Sequence, residues 1–365
     1  MTSTYPTWIE IDLPAIVNNC AQILRDTGTA LMAVVKGDAY GHGAVRVSRA
    51  ALKGGAIWLG VARFGEARLL RQNGIRAPIL VLGMVTPEEV DEAIASHVTL
   101  TLHNLETLQL FSTRARAAGE PVHVHMKVDT GMGRLGVFSE EIVSFTRQAG
   151  AVGGIQIDGL YSHLASAEGE NPDNEIQCQR FDRAVRALEE CNLRPTWVHL
   201  ANSAAAFFLP RSRYDLVRVG NVVLGLRIRV DQPLPKSYRP ALTWKAQLAS
   251  CRLLPAGWSV GYGAAYRTRH SEYIGVIPVG YGDGLRRLPG NQVIVDGIKC
   301  PVVGKLCLDQ MMVRLPRQYP MGEEVTIIGK QREPSIWVHD LAALYQTSQV
   351  DITTLIHQRV PRMYV

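Results

Sequence analysis

The sequence predicts an α/β protein, a (β/α)8 barrel followed by a mainly β C-terminal domain. Between about residues 30 and 220, short β-branched apolar runs alternate with longer amphipathic stretches, as parallel strands joined by crossover helices do. The runs number eight, the strand count of a closed barrel of this length. Beyond Arg227 the helical periodicity stops and strands punctuated by turn residues take over. An open doubly wound sheet would share the alternation, but the eightfold repetition favours the barrel.

The expected strands are Leu31–Val35, Trp58–Val61, Ile79–Leu82, Val98–Leu102, Val122–Lys127, Gln156–Tyr161, Trp197–Leu200 and Leu216–Val219. Helical periodicity lies between them at Pro87–Ala95, Leu105–Ala118, Glu140–Ala149 and Asn174–Cys191. The barrel domain is therefore expected over residues 11–232. RVDQPLPKSYRP, with three prolines, reads as a linker. ALTWKAQLASCRLL, QVIVDGIKCPVVG, QMMVRL and EVTIIGK then build a β domain over 233–365. TWIEIDL has no place in the barrel, so residues 1–10 are expected to join that domain as a strand.

Of 365 residues, 47% are hydrophobic and 20% charged, the composition of a soluble globular protein. The formal charge is +6, yet Lys and Arg never form a basic block with interleaved aromatics, so no nucleic acid partner is expected. No apolar run approaches the roughly 18 residues of a membrane span. The N-terminus shows no basic region followed by an apolar stretch, so the expected location is cytoplasmic, without membrane attachment. The six cysteines are widely spaced without a C-x-x-C pair, which argues for reduced thiols over a zinc site or disulfides.

In a barrel, chemistry sits at the C-terminal ends of the strands. There the sequence puts Lys36 in AVVKGDAYGHG, then Lys127, Tyr161-Ser162-His163, His199 with Asn202 and Ser203, and Arg218-Val219-Gly220. Singly, each has an ordinary reading. A lysine after a strand is usually a solvated loop residue, Ser203 could cap a helix starting at Ala204, and Arg218 could be half of an ion pair. Their convergence on one mouth favours a site. Loops after the seventh and eighth strands suit a phosphate, bound by Ser203 and amides near Gly220. A lysine across the mouth, its pKa lowered by desolvation and cationic neighbours, can form an imine with an aldehyde. Pyridoxal phosphate meets both requirements. His123 and His125 alternate on one strand face and read as barrel packing, since no further metal ligands accompany them.

The motifs VVKGDAYGHG, HMKVDTGMGRLG, GLYSHLASAE, HLANSAA, VRVG, VGYGAAY, VGYGDG and LCLDQ, in this order, resemble those of the alanine racemase family. The resemblance implies a fold-type III pyridoxal phosphate enzyme acting as a head-to-tail homodimer. It implies that Lys36 binds the cofactor, that Tyr40, Asn202, Ser203, Gly220 and Asn221 hold its phosphate side, and that Arg218 faces its ring nitrogen. Lys36 and Tyr262 from the second chain are implied as the two catalytic bases, with His163 bonded to Tyr262 and His199 steadying Arg218. Arg134, Leu308, Asp309 and Tyr281 are implied around the substrate, and Lys127 as a carbamylated lysine. The activity implied is interconversion of L- and D-alanine, supplying D-alanine for peptidoglycan.

The chain also departs from the family pattern. Val350 stands where the family has a tyrosine, Lys305 and Glu168 replace Arg and Asp, Leu308 replaces Met, and Val219 replaces Pro. Loss of an aromatic wall enlarges the space beside Cα. That motivates an alternative: a racemase of broader range, or of serine, lysine or arginine. A non-catalytic pyridoxal phosphate-binding barrel protein is a further alternative, weakened by the β domain and Tyr262.

Overall fold

The computed structural model describes residues 5–229 and 231–365; residues 1–4, which open the expected N-terminal strand segment, and residue 230 lie outside the described residues. The chain divides into two compact units: Ile16–Ala39 with Ala44–Arg239, and Met1–Ala15 with Tyr40–Gly43 and Pro240–Val365.

Strand β1 (Thr7–Ile11) and helix α1 (Leu13–Thr27) precede the barrel strands. These are β2 (Ala30–Val34), β3 (Trp58–Val61), β4 (Ile79–Val81), β5 (Leu100–Leu102) and β6 (Val122–Asp129), which carries the short parallel β7 (Val137–Phe138) at its end. β8 (Ile155–Tyr161), β9 (Trp197–His199) and β10 (Leu216–Val219) complete them. Two parallel ladders run in the orders β10-β2-β3-β4 and β5-β6-β8-β9. The first seam between them is a Leu80–Thr99 bridge, with Val81 N donating to Thr99 O at 2.9 Å. At the second, Asp215 N donates to Val198 O at 3.0 Å and Arg218 N to Ala201 O at 3.1 Å. Eight strands thus close a ring.

Residues of such a ring are covered on both faces, which explains the near-continuous apolar strands. In β3 all four residues, Trp-Leu-Gly-Val, are buried. Inside the barrel Met32, Trp58, Leu80, Tyr161 and Leu216 pack together. Outside lie the helices that follow the left-handed turn α2 (Lys36–Gly41): α3 (Ala44–Lys53), α4 (Phe64–Gln72), α5 (Pro87–Ala95), α6 (Leu105–Ala118), α7 (Ile142–Val152), α8 (Pro172–Glu190) and α9 (Ser203–Phe208). Their ends are written in the sequence. Thr86 and Glu89 form a capping box ahead of Pro87, and Asn104 accepts Thr107 N at 2.9 Å before α6. The buried Leu108, Phe111, Ser112 and Ala115 recur at helical spacing on α6.

The other unit is built on one long sheet. Its strands are β11 (Leu242–Gln247), β12 (Ser250–Leu254), β13 (Ser259–Val260), β14 (Tyr266–Arg267), β15 (Glu272–Ile277), β16 (Gln292–Val295), β17 (Ile298–Val303), β18 (Met311–Leu315), β19 (Glu324–Lys330), β20 (Ser335–Ile336) and β21 (Arg362–Tyr364). The order is β12-β15-β18-β17-β16-β19-β11-β1-β21, with β20 beside β19 and β13-β14 a separate hairpin. β1 lies between antiparallel β11 and parallel β21. Leu242, Trp244 and Ala246 bury one face of β11 in strict alternation. Fully buried Trp244 donates its indole N–H to Thr7 Oγ1 at 2.9 Å, which satisfies the one polar atom that its burial would strand. Two short helices, α10 (Val338–Tyr345) and α11 (Gln349–Leu355), break the β pattern near the C-terminus.

Candidate active site

Lys36 follows β2 and opens a turn in which Gly37, Asp38, Ala39, Tyr40 and Gly41 all have φ between 51° and 84°. For the three non-glycine residues the left-handed conformation costs roughly 1–2 kcal/mol each. The neighbouring structure holds the turn in place. Glu66, in the first turn of α4, accepts Gly37 N at 2.5 Å with one carboxylate oxygen and Ala62 N at 2.7 Å with the other. Asp38 accepts Ala44 N at 2.6 Å, and Ala39 N donates to Val35 O at 2.8 Å. Strain sustained in this way marks functional segments. Partial desolvation lowers the Lys36 amine from its ordinary value, as do Arg134 and Arg218, while Glu66 opposes them.

Arg218 of β10 is buried beside His199 and His163. Its Nη1 donates to His199 Nδ1 (2.9 Å) and His199 O (3.1 Å). Its Nη2 faces Ser162 O (2.7 Å), Leu200 O (3.0 Å) and His163 Nδ1 (3.2 Å). A guanidinium can only donate. Both histidines therefore present an unprotonated Nδ1 and carry their proton on Nε2. The His199 Nε2–H in turn points at His125 Nδ1, 2.8 Å away. Burial lowers His199 well below its ordinary value, His163 to about 2 and His125 to about 3, each reinforced by Arg218. All three rings are neutral at pH 7. Burial brings Arg218 itself down to about 10, still a cation. Among its five N–H groups, Nε–H alone has no acceptor among the described residues.

Tyr161 is stacked on His199 with ring centroids 5.0 Å apart and planes 3° from parallel, and its hydroxyl meets Thr101 Oγ1 at 2.8 Å. Because Thr101 donates to Val81 O, Tyr161 must be the donor to Thr101. Burial raises the Tyr161 phenol to about 12, so it stays protonated. Lys127 Nζ lies 4.9 Å from the Tyr161 ring centroid and, among the described residues, has only Val128 O, at 3.4 Å, as a hydrogen-bond acceptor. Burial, then Arg218 and Arg134, push its amine well below the ordinary lysine value, with Asp129 opposing. Arg134 is carried on a loop organised by Asp129, whose carboxylate accepts the amides of Gly131, Met132, Gly133 and Arg134. The mouth thus gathers Lys36, Lys127, Arg134 and Arg218, with the Asp129 carboxylate turned to its own loop and that of Glu66 to the amides of Gly37, Ala62 and Arg63. It is built for an anion.

On the adjoining strands the ordinary reading of Ser203 as a helix cap is off by one residue. Asn202, not Ser203, caps α9, its Oδ1 accepting Ala205 N at 3.0 Å. The helix starts at Ser203, whose Oγ accepts Gly220 N at 3.1 Å and keeps its own proton free to donate. Asn221 begins a short 3-10 turn, Asn221–Leu224, immediately after Gly220.

The remaining expected residues belong to the β unit. Tyr262 is 66% exposed in the turn between β13 and β14, and Leu308 is 52% exposed. Tyr281 N donates to Cys307 O at 3.0 Å and Gly282 N to Leu308 O at 2.8 Å, which ties the loops carrying Tyr281, Leu308 and Asp309 together. Asp283 fixes that junction, accepting Gly280 N at 2.8 Å and Arg359 Nε at 2.6 Å. Tyr40 also falls in this unit.

Sequence reasoning missed Glu66 and undervalued His125. Glu66 sits three residues after the helix-preceding Arg63, the spacing of a capping-box acid, and that signal was available. His125 is fully buried between Trp58, 4.9 Å away by centroids, and His199, with Nε2 unpartnered among the described residues. An unsatisfied buried donor costs about 1–3 kcal/mol. Pairing between β6 and β8 shifts register here: Val124 faces Ile157 but His125 faces Gly159, so Asp158 is an extra residue. Asp158 meets His123 at 2.6 Å, and a Cβ on Gly159 would lie 2.6 Å from the His125 ring. The expectation that the histidine pair packs the barrel misses this bond and the relay to Arg218.

The two parts of the chain match the family models described as "Alanine racemase, N-terminal domain" over residues 11–228 and "Alanine racemase, C-terminal domain" over residues 241–364. Barrel, β domain and lysine-bearing mouth define one class of protein, and the chain belongs to the alanine racemase family. It is similar to the alanine racemase of Symbiobacterium thermophilum, 41% identical over 365 residues covering 98% of this chain and 97% of that protein. Among solved structures it resembles an alanine racemase from Streptomyces coelicolor A3(2), with TM-score 0.93, 35% identity and 99% and 98% of the two chains covered. It also resembles one from Bacillus anthracis with bound L-Ala-P, with TM-score 0.92, 34% identity and 100% and 96% covered.

Proposed function

We propose that the chain interconverts L- and D-alanine as a pyridoxal phosphate-dependent isomerase, with Lys36 and Tyr262 of the partner subunit as the two bases. The carrying observation is the donor set at the barrel mouth. It offers an amine of lowered basicity at Lys36, the guanidiniums of Arg134 and Arg218, a Ser203 hydroxyl ready to donate, and one guanidinium N–H without an acceptor among the described residues. A phosphorylated aldehyde with a ring nitrogen fits that set. When bound, pyridoxal phosphate supplies covalent attachment of the amino acid and draws electrons from Cα, so that the Cα proton becomes removable.

The chain's own residues do the rest. Lys36 Nζ takes or returns the Cα proton on one face, and the phenol of Tyr262 of the partner subunit does so on the other. His163 offers its Nε2–H to that phenol, lowering its pKa as a donor to the anion does. Arg218 would hold the cofactor's ring nitrogen with its Nε–H, and since guanidinium yields no proton at neutral pH, that nitrogen would stay unprotonated. Ser203, Asn202, Tyr40 and the amides of Gly220 and Asn221 orient the phosphate. Arg134 receives the substrate carboxylate with the backbone amide of Leu308 of the partner subunit, and Asp309 and Tyr281 are assigned to substrate binding. Lys127, buried between Arg218 and Arg134, is assigned as a carbamate, the anion those cations require.

This reading needs a homodimer, and an exposed tyrosine between glycines at φ 71° and 69° suits a residue that reaches another chain. Among the described residues no helix is long and apolar enough to cross a membrane. We assign the enzyme to the cytoplasm, supplying D-alanine for peptidoglycan, with residues 11–232 as cofactor domain and 233–365 with strand 1–10 as its complement. The relatives compared are all named alanine racemases, which gives no support to the serine, lysine, arginine or non-catalytic alternatives.

The test is chiral chromatography of L-alanine incubated with the purified, cofactor-loaded protein, where D-alanine should accumulate to near equality. Absence of D-alanine overturns the proposal. Borohydride reduction and peptide mapping should place the label on Lys36. A Tyr262→Phe protein should lose about 10²–10⁴-fold in rate, as removal of a general acid–base does.

A further inference from the structure

The chain of bonds at the mouth does not end at His199, and its continuation into the barrel interior has a direction. Arg218 can only donate, so His199 must accept at Nδ1 and donate from Nε2. His125 Nδ1 is the atom that receives this proton, at 2.8 Å. His125 must then carry its own hydrogen on Nε2, which has no hydrogen-bond acceptor among the described residues and lies in a ring tilted 55° to Trp58. Met126, the next residue, faces the opposite way, toward Thr146 of α7.

Two local features make room for this ring at the expense of regular structure. Strand β8 inserts Asp158 as an extra residue, and Gly159 then stands opposite His125, where any Cβ would run into the imidazole. An apolar residue at 125 would bury no orphan nitrogen and would not require a glycine opposite. Packing alone therefore gives no reason for histidine.

We propose that His125 is a positioning residue for racemisation: its Nδ1 holds His199 in the Nε2–H tautomer and thereby keeps Arg218 Nη1 fixed on His199 Nδ1. Without this acceptor Arg218 alone favours the Nε2–H tautomer and the Nε2–H is left buried without a partner, so the Nδ1–H tautomer, which turns an N–H toward the guanidinium and drives the two apart, gains population. Arg218 Nε–H, the donor left for a ligand, then loses its aim. The inference rests on the assigned role of Arg218, but the tautomer is readable without it.

The experiment is long-range ¹⁵N–¹H NMR of the histidine-labelled holoenzyme, with His199 assigned by difference from a His199→Asn protein. The expected wild-type spectrum shows His199 with unprotonated Nδ1 and protonated Nε2. His125→Leu should mix or reverse that tautomer and lower kcat about tenfold or more with KM nearly unchanged. His125→Asn, whose Oδ1 can stand in for Nδ1, should restore the wild-type pattern and most of kcat. An Nδ1-protonated His199 in the wild type, or a His125→Leu protein with unaltered tautomer and kcat, overturns the proposal. Should His125→Leu fail to fold, His125→Met, which also lacks a nitrogen acceptor, takes its place in both measurements. A wild-type holoenzyme that shows the expected tautomer but does not racemise alanine refutes the assigned function and leaves the relay standing.

Discussion

On the outer surface of the barrel Arg211 donates to Glu175 at 2.6 Å and to Asp182 at 2.7 Å, and Tyr214 also hydrogen-bonds Asp182. At the mouth Arg218 makes more bonds but none to a carboxylate; its partners are three carbonyls and two imidazoles. The first arginine is 42% exposed in its side chain and fully matched in charge, while the second is buried with Lys127 close by and no carboxylate bonded to it among the described residues. Solvated pairs of the first kind contribute little to stability. A buried cation held only by neutral acceptors is expensive, and Arg218 keeps one donor, its Nε–H, for a ligand. The difference separates charge placed for the surface from charge placed for a ligand.

Replacement of each arginine by lysine breaks that contrast most sharply. Arg218→Lys retains the charge but loses the fork, and racemisation should fall about 10²–10³-fold. Arg211→Lys should leave steady-state rates unchanged in the same assay. A parallel loss in both would show that the mouth arginine is merely structural.

Acid should distinguish the regions next. The ordinary histidine value is 6.5, while burial holds His163 near 2 and His125 near 3 in the fold, so protons bind only after unfolding. Stability is intact above about pH 6.5 and falls as pH drops through the interval down to 3, by up to ~1.4 kcal/mol per pH unit for each imidazole. Chemical denaturation at pH 7 and pH 5 measures the loss, and His125→Asn should lessen it. Equal stability at both values would contradict the neutral-ring assignment.

Lys127→Met should reduce kcat about tenfold and lower the unfolding midpoint, because it removes the anion assigned beside the buried Arg218. Arg211→Ala should lower stability by no more than ~1 kcal/mol by thermal denaturation.

The barrel strands were legible because both faces are buried: Trp58–Val61 and Leu216–Val219 fall where apolar runs place them. The mouth residues were legible because strand ends fix their positions. Three things were not. The cap of α9 moved one residue because Asn202 and Ser203 are both good caps, and only Gly220 N, seventeen residues on, decides which hydroxyl or amide is free. The extra residue in β8 leaves Ile155–Tyr161 looking like an ordinary strand, since a register shift needs the partner strand to be seen. The left-handed sense after Lys36 was hidden because Asp38, Ala39 and Tyr40 carry no conformational signature of it.

That turn has a kinetic consequence. Returning any one of Asp38, Ala39 or Tyr40 to the ordinary hand requires its neighbours to follow, because their shared hydrogen bonds belong to a single sense of winding. The segment can therefore open only as a whole. Amide exchange should report this as one event: the N–H of Ala39, bonded to Val35 O, and that of Ala44, bonded to Asp38, should be released to deuterium at a common rate. The lysine at its head thus inherits a latch with two settings and no intermediate stop.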